Sequence, residues 1–304
     1  MAETILILSD RADRQVRQLQ SSLERLGFSV LALHLADIAF DTRFASGMAI
    51  PGMDGALPAG VIVRSVSSGS FEAITRRLGI LHALAESGVA VWNSAKAIER
   101  CVDKSTTTFL LAHAGLPTPH TFAVETLAHA REVAQRELGH GPLVLKPLFG
   151  SQGKGLRLIR TVDDLPAPQD VDDVYYLQRY VAHAGPPFSD YRIFTCAGEV
   201  LGMMARRAES WVTNMAKGAK AEPVVGPVRQ MLESLALAAS AAIGTDFAGI
   251  DIVPAADGRL LVLEVNSMPA WTGLQSVVPV RIADHVASAL AARIAPALDE
   301  RPAA

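Results

Sequence analysis

Gly249-Ile250-Asp251-Ile252-Val253 and Leu260-Leu261-Val262-Leu263-Glu264-Val265-Asn266 decide the reading of this chain, with Pro254-Ala255-Ala256-Asp257-Gly258-Arg259 between them. Asp257-Gly258 is a strong two-residue hairpin turn. With that pair as the turn, Asp251 sits directly opposite Glu264. Side chains alternate faces along a strand, so Asn266 shares the face of Glu264. The other face carries Ile250, Ile252, Leu263 and Val265, all apolar. One side of the hairpin therefore packs into a core, and the other presents two carboxylates and an amide. Carboxylates placed directly opposite repel unless something positive lies between them. Hard oxygen donors with no His or Cys nearby suit Mg²⁺, with Mn²⁺ as the alternative. A solvent-facing polar sheet surface explains the polarity but not the lack of Lys and Thr on that face. Asp251, Glu264 and Asn266 are the candidate metal set.

A glycine loop lies about a hundred residues upstream. Leu143-Val144-Leu145-Lys146-Pro147-Leu148-Phe149 runs into Gly150-Ser151-Gln152-Gly153-Lys154-Gly155 and then Leu156-Arg157-Leu158-Ile159. The spacing G-x-x-G-x-G differs from the dinucleotide fingerprint G-x-G-x-x-G, and a strand follows where a helix is needed. Lys154 is followed by glycine, not Ser or Thr, so this is no P-loop. The loop reads as a hairpin tip that can fold over a phosphate chain and offer backbone N–H groups. Lys146 can add a fixed positive charge. From the loop alone, an ordinary glycine-rich hairpin with a solvent-facing lysine is an equal reading.

The rest of the chain supports an α/β and α+β organisation. Ile5–Leu8, residues 12–26 and residues 28–33 read as strand, helix and strand, the opening of a parallel unit. Val61–Val63, Phe71–Ala85 and Val89–Val91 continue it, so the first 95 residues form one small domain. A helix over Lys104–His113 follows, then Pro117 and Pro119 as a stiff connector. Strands at 122–124, 143–146, 156–159 and 175–181 with a helix at 127–138 make an α+β block. Hairpins and helices fill the last third, with long helices over Val228–Ile243 and Ala283–Ile294.

Composition bounds the function. The 304 residues are 50% apolar and 19% charged, enough for large cores. The net charge of −3 gives no basic excess for binding nucleic acid. Cys101 and Cys196 form neither a CxxC pair nor a metal knuckle, and no signal peptide or membrane span is visible. The expectation is a cytoplasmic protein without a nucleic-acid or membrane partner. No HxH, HExxH or G-x-S-x-G motif offers a rival chemistry.

In this order the elements resemble the RimK-type amino-acid ligases of the ATP-grasp family. The resemblance rests on Asn93-Ser94, Asp103-Lys104, Leu145-Lys146-Pro147, Gly150 to Gly155 and Gln178-Arg179-Tyr180-Val181. It continues through Asp190-Tyr191-Arg192, Arg206-Arg207, Thr213-Asn214, Asp251, and Glu264-Val265-Asn266 with Pro269. It implies an ATP-grasp fold behind an N-terminal Rossmann-like α/β domain. That domain would span 1–95 and the ATP-grasp domain 96–304, the latter with a central lid subdomain at about 116–177 and a metal-binding subdomain at about 178–297.

The resemblance also implies roles. Lys104 and Lys146 would contact the ATP phosphates. Gly150, Ser151, Gln152, Gly153 and Gly155 would close over the triphosphate. The backbone of Gln178, Arg179, Tyr180 and Val181 would pair with adenine, and Asp190 would hold the ribose. Asp251, Glu264 and Asn266 would hold two Mg²⁺ ions. Arg192, Arg207 and Asn214 would face the reacting phosphoryl and carboxylate oxygens. Arg64, Ser67 and Ser68 would meet the substrate from the N-terminal domain. The stretches Trp211-Val212-Thr213-Asn214 and Ser267 to Gln275 look more like the branch that adds glutamate to tetrahydromethanopterin. Trp271 or Trp211 would stack on a flat ring there, or serve as a core aromatic. The implied partners are a small carboxylate acceptor and L-glutamate. A protein C-terminus or an amino-acid carrier is the alternative acceptor, and a homo-oligomer is a family-level expectation. A nucleotide-binding module without turnover is the reading from another class.

Overall fold

Period-two alternation along the first strand builds the first two layers. The computed structural model describes residues 2–150, 153–182 and 185–299. In chain order the first elements are β1 (Thr4–Leu8), α1 (Arg14–Arg25), β2 (Ser29–Leu33), β3 (Ala39–Phe40), β4 (Met48–Ala49), β5 (Gly60–Val63), α2 (Phe71–Glu86) and β6 (Ala90–Trp92). Then come α3 (Ala95–Val102), α4 (Lys104–His113), β7 (Thr121–Val124), α5 (Leu127–Glu137), β8 (Leu143–Lys146), β9 (Arg157–Ile159) and β10 (Tyr175–Arg179). The last are β11 (Phe188–Cys196), β12 (Glu199–Ala208), β13 (Lys220–Pro223), α6 (Val228–Ile243), β14 (Phe247–Pro254), β15 (Leu260–Asn266), α7 (Thr272–Gln275) and α8 (Ile282–Asp299).

The strands β2-β1-β5-β6 form a parallel sheet in that order. Ile5 and Ile7 of β1 pack with α1 and α8, through Val16, Leu19, Leu23, Val286 and Leu290. Leu6 and Leu8 point the other way, into a core with Ile80, Leu81 and Leu84 of α2 and Ile98 of α3. Burial on both faces is why β1 and β5 read as unbroken apolar runs. The last helix thus completes the sheet that the first strand begins.

A second sheet, β7-β10-β8-β9, is antiparallel. Leu143, Leu145, Tyr175 and Leu177 pack under Ala130, Val133 and Ala134 of α5. The alternate residues Val144, Lys146 and Gln178 line a cleft on the other face. The third sheet runs β13-β12-β11-β14-β15. Ile193, Ile250, Ile252, Val262 and Val265 bury one of its faces against α6 and Leu111 of α4. The opposite face is polar at the cleft and apolar beyond it, where Phe194, Met204 and Phe247 meet Trp271 and α8.

The strand Leu143–Lys146 and the helices Lys104–His113 and Val228–Ile243 fall where the sequence puts them. Asp103 explains the sharp start of α4, since its Oδ1 accepts from the N–H of Ser105 at 2.8 Å and of Thr106 at 3.3 Å. The sequence pattern does not foretell α3, β13, α7 or the two-residue ladder β3–β4. No helix among the described residues is long and apolar enough to cross a membrane.

Candidate active site

A cleft of about 920 Å³, counting its open mouth, lies between the second and third sheets. Of the residues the sequence singles out, Lys104, Lys146, Gly150, Gly153, Gln178, Arg179, Tyr180, Val181, Asp190, Asn214, Asp251 and Glu264 line it. Ser151 and Gln152 lie outside the described residues. Trp211, offered from sequence as one of two ring-stacking candidates, lines it, and so do Arg206, Thr213 and Leu263, which were given no role there.

The floor comes from β14 and β15. Asp251 pairs directly with Glu264, and Gly249 with Asn266. Asn266 Nδ2 donates to Glu264 Oε1 at 3.0 Å, so the amide shares that face. The register reaches this point by a route the turn residues do not reveal. The Ala255 N–H donates to the Arg259 carbonyl at 2.8 Å, so Ala256 to Gly258 make a three-residue turn. A bulge beside Asp251 then restores the pairing. A bulge sets two residues opposite one. Leu263 is therefore turned into the cleft, not the core, and Val262 occupies the core position. Two carboxylates and an amide oxygen on adjacent strands suit a hard divalent cation. Among the described residues no group of three His, Cys, Asp or Glu gathers, so the set depends on Asn266 as its third member.

Two arginines, Arg206 buried and Arg192 partly so, frame this floor. Arg192 donates from Nε to Asp251 Oδ1 at 2.6 Å and from Nη2 to Asp251 Oδ2 at 2.5 Å. Arg206 grips both oxygens of Asp190, with Nε to Oδ1 at 2.7 Å, and its Nη2 also lies 3.1 Å from Asp251 Oδ2. Burial raises the Asp251 pKa, but Arg192 and Arg206 outweigh it and hold the carboxyl well below the usual carboxylate range. Burial also pushes the Asp190 carboxyl up, against the pull of Arg206. Burial disfavours the Arg206 charge, yet Asp251 and Asp190 prevail and raise its pKa. Its Nη1 is buried without a hydrogen-bond partner. Arg207, expected at the reacting oxygens, is on the other face of β12. It is half exposed and pairs with Glu222 through Nε at 2.6 Å. This corrects the sequence expectation: Asp190 pairs with Arg206 across the ladder, and alternation sends Arg207 outward.

The lysines come from the other side. Lys146 Nζ donates to Gln178 Oε1 at 2.6 Å. Gln178 Nε2 donates to Thr121 Oγ1 at 3.0 Å, and Tyr176 links onward to Thr108 at 2.7 Å. Burial lowers the Lys146 pKa to about 8, against the attraction of Glu264 and Asp251. Lys104 donates to the carbonyls of Leu148 at 3.1 Å and Gly150 at 2.9 Å, and burial lowers its pKa too. Arg179 lines the cleft, but its guanidinium is engaged by Glu137, with Nε donating to Oε2 at 2.7 Å. Gly153 packs against the far wall. A Cβ there would fall 2.6 Å from Asn214 Oδ1 and 2.8 Å from Val212 Cγ1, at a φ of +66°. Gly155 is off the cleft, where a Cβ would meet Pro147 Cγ at 2.7 Å.

The residues expected to touch substrate from the N-terminal side divide. Trp271 is 1% exposed, and its Nε1 donates to Gln18 Oε1 at 3.1 Å. It is a core aromatic, which corrects the stacking expectation. Arg64 lies 4.6 Å over the Trp271 ring and donates to Gln15 Oε1 and the Pro269 carbonyl, both at 2.9 Å. Burial lowers its pKa to about 10. Both bonds come from Nη2, which anchors Arg64 between α1 and the segment after β15. Ser67 donates to Asp10, and the Ser68 carbonyl accepts from Arg77 at 3.2 Å, both in the loop after β5. Trp211, by contrast, stands at the cleft, edge-on to Tyr180 with ring centres 5.9 Å apart.

Residues 101–290 match the RimK-like ATP-grasp domain. The chain is 29% identical to the tetrahydromethanopterin:alpha-L-glutamate ligase of Methanosarcina acetivorans, over 92% of this chain and 96% of that protein. It is 35% identical to the alpha-aminoadipate–LysW ligase LysX of Saccharolobus solfataricus, over 60% of this chain and 68% of the relative. Among solved structures, the ATP-grasp ligase PsnB in complex with its minimal precursor superposes with a TM-score of 0.73 at 21% identity, covering 96% of this chain and 99% of that one.

Proposed function

The chain belongs to the RimK-like ATP-grasp family, and from that premise we propose an ATP-dependent carboxylate–amine ligase that adds L-glutamate to a small carboxylated acceptor. One observation carries the reading. Asp251, Glu264 and Asn266 share one face of the floor, within electrostatic reach of Lys146 beneath the glycine loop. Such a face suits a divalent cation bound with a triphosphate.

A carboxylate is a poor electrophile, because its charge repels an incoming amine. Transfer of the ATP γ-phosphoryl group makes an acylphosphate, which the amine of glutamate attacks with loss of phosphate. Little covalent work falls to the protein; positioning and charge neutralisation dominate. Mg²⁺ held by Asp251, Glu264 and Asn266 would supply charge neutralisation at the phosphate oxygens. Lys104 and Lys146 bind phosphate oxygens on the opposite side. Arg206, with its buried Nη1 unspent, faces the transferring group. Asn214 and the Gly153 backbone close the roof. Loss of one such electrostatic stabiliser costs about 10²–10³ in rate.

The tetrahydromethanopterin ligase matched over 92% of this chain favours a pterin-type acid as the acceptor. The LysX relative favours a second reading, an acceptor carried on a protein. The experiment is incubation with ATP, Mg²⁺, L-glutamate and a pool of small acids and carrier proteins, followed by ADP release and product mass. ADP released only with an acceptor, and a gain of one glutamyl unit on a pterin, is the expected outcome. ATP binding without ADP release for any acid or carrier would leave a nucleotide-binding module instead.

A further inference from the structure

The segment leaving the floor is gripped by the N-terminal α/β unit at every second residue. Asn93 follows β6 and is buried. Its Nδ2 donates to the carbonyls of Phe247 at 2.7 Å and Ser267 at 2.6 Å. Its Oδ1 accepts from the N–H of Asp246 at 2.6 Å and of Phe247 at 3.0 Å. A side-chain amide has two donors and two acceptor lone pairs, so Asn93 is fully used. Two residues beyond Ser267, the Pro269 carbonyl accepts from Arg64; two beyond that, Trp271 reaches Gln18. The grip presses the segment onto the sheet. A Cβ on Gly249, the ladder partner of Asn266, would fall 2.9 Å from Pro269 Cβ and 3.2 Å from Phe194 Cε1. Only glycine admits so close an approach.

Ser267 directly follows Asn266, and Phe247 opens the strand that carries Asp251. One amide therefore ties together the ends of both floor strands next to the weakest of the three oxygen donors. We propose that Asn93 is a positioning residue for the metal site, fixing the backbone from which Asn266 presents its oxygen. This inference rests on the metal reading above. Residues that orient metal ligands typically change affinity by about 10–100-fold when removed. A purely structural clamp would lower stability and leave affinity alone.

The test is a Mn²⁺ titration of the full chain with saturating ADP, free Mn²⁺ being read by electron paramagnetic resonance. Wild type and Glu264→Gln come first: no wild-type binding, or unchanged binding in Glu264→Gln, overturns the metal reading itself. Given that binding, Asn93→Ala and Gly249→Ala should each weaken Mn²⁺ by about tenfold. Gly249→Ala pushes the same segment from the opposite side. Thr195→Val, which removes a buried hydrogen bond to Ser240 of 3.1 Å, should bind like wild type. Folded Asn93→Ala and Gly249→Ala proteins with lower melting temperatures but wild-type Mn²⁺ affinity would overturn the positioning role alone. Should Asn93→Ala not fold, Gly249→Ala decides.

Discussion

Arg192 occupies both carboxylate oxygens of Asp251, at 2.6 and 2.5 Å, and Arg206 adds a third contact at 3.1 Å. The carboxylate that opposes Glu264 is thus held by fixed positive charge from the side. Lysine cannot reproduce the planar fork. Arg192→Lys should lower kcat by about 10²–10³ in an ADP-release assay. Asp251→Asn leaves one buried and one partly buried guanidinium group short of a carboxylate. It should cost about 3–5 kcal/mol in urea unfolding, as for other broken buried pairs.

Lys146 gives a pH signature. Burial lowers its pKa to about 8, so the ammonium is lost from the free protein as pH rises through that value. Bound phosphate favours the charged form. ATP affinity and kcat/KM for ATP should therefore fall above pH 8, while kcat at saturation falls later. Lys146→Ala should abolish the step and lower kcat/KM by about 10²–10³. The reverse sign holds for stability: unfolded lysine keeps its proton to about pH 10.4, so stability from this group rises with pH between the two values. Isothermal titration with ATP at several pH values checks the first expectation, and urea melts check the second.

Arg206 and Arg207 are adjacent but face opposite ways. Arg206→Met should lose at least about 10²-fold in kcat, because a buried cation at the cleft disappears. Arg207→Ala, which removes an exposed pair with Glu222, should stay within about twofold of wild type. Equal losses in the two variants would reverse the facing described here.

Gly153 sets the closeness of the roof. Alanine there meets Asn214 Oδ1 at 2.6 Å and Val212 Cγ1 at 2.8 Å. Gly153→Ala should reduce kcat/KM for ATP by about 10–100-fold, since small misplacements cost that much, while the strain of alanine at positive φ costs only about 1–2 kcal/mol in stability. Steady-state kinetics beside a thermal melt distinguishes this from general damage.

Trp271 belongs to the core between the N-terminal unit and the third sheet. Trp271→Ala should cost about 3–5 kcal/mol in stability. Denaturant unfolding measures it. Wild-type stability with a raised KM for the acceptor would return Trp271 to the substrate.

Much of this architecture was legible because local signals were strong. Asp103 before Lys104, the apolar run Leu143 to Lys146, and the alanine-rich stretch Val228 to Ile243 each specify an element without outside help. Asp251 opposite Glu264 was also legible, although two deviations cancel: the turn is one residue longer than Asp257-Gly258 implies, and the bulge at Leu263 takes up the difference. At β11–β12 nothing cancels. Ala197 and Gly198 form the turn, both at positive φ, and an unbroken ladder from it would set Arg207 on the face of Asp190. The bulge at Phe194 and Thr195 slips the register by one and installs Arg206 instead. No local residue announces that bulge. Trp271 and Arg64 were opaque for another reason: their partners Gln18, Gln15 and Pro269 are distant in sequence, and only tertiary packing brings them together.

The closing helix has a consequence for protein engineering. Ile282, Val286, Leu290 and Ile294 of α8 share one core with Ile5, Ile7 and Leu19. The opening ninety residues are therefore no free-standing cassette. A chimera that borrows them from a relative must borrow α8 as well, or it leaves an oily flank of the parallel sheet bare to solvent and prone to clumping.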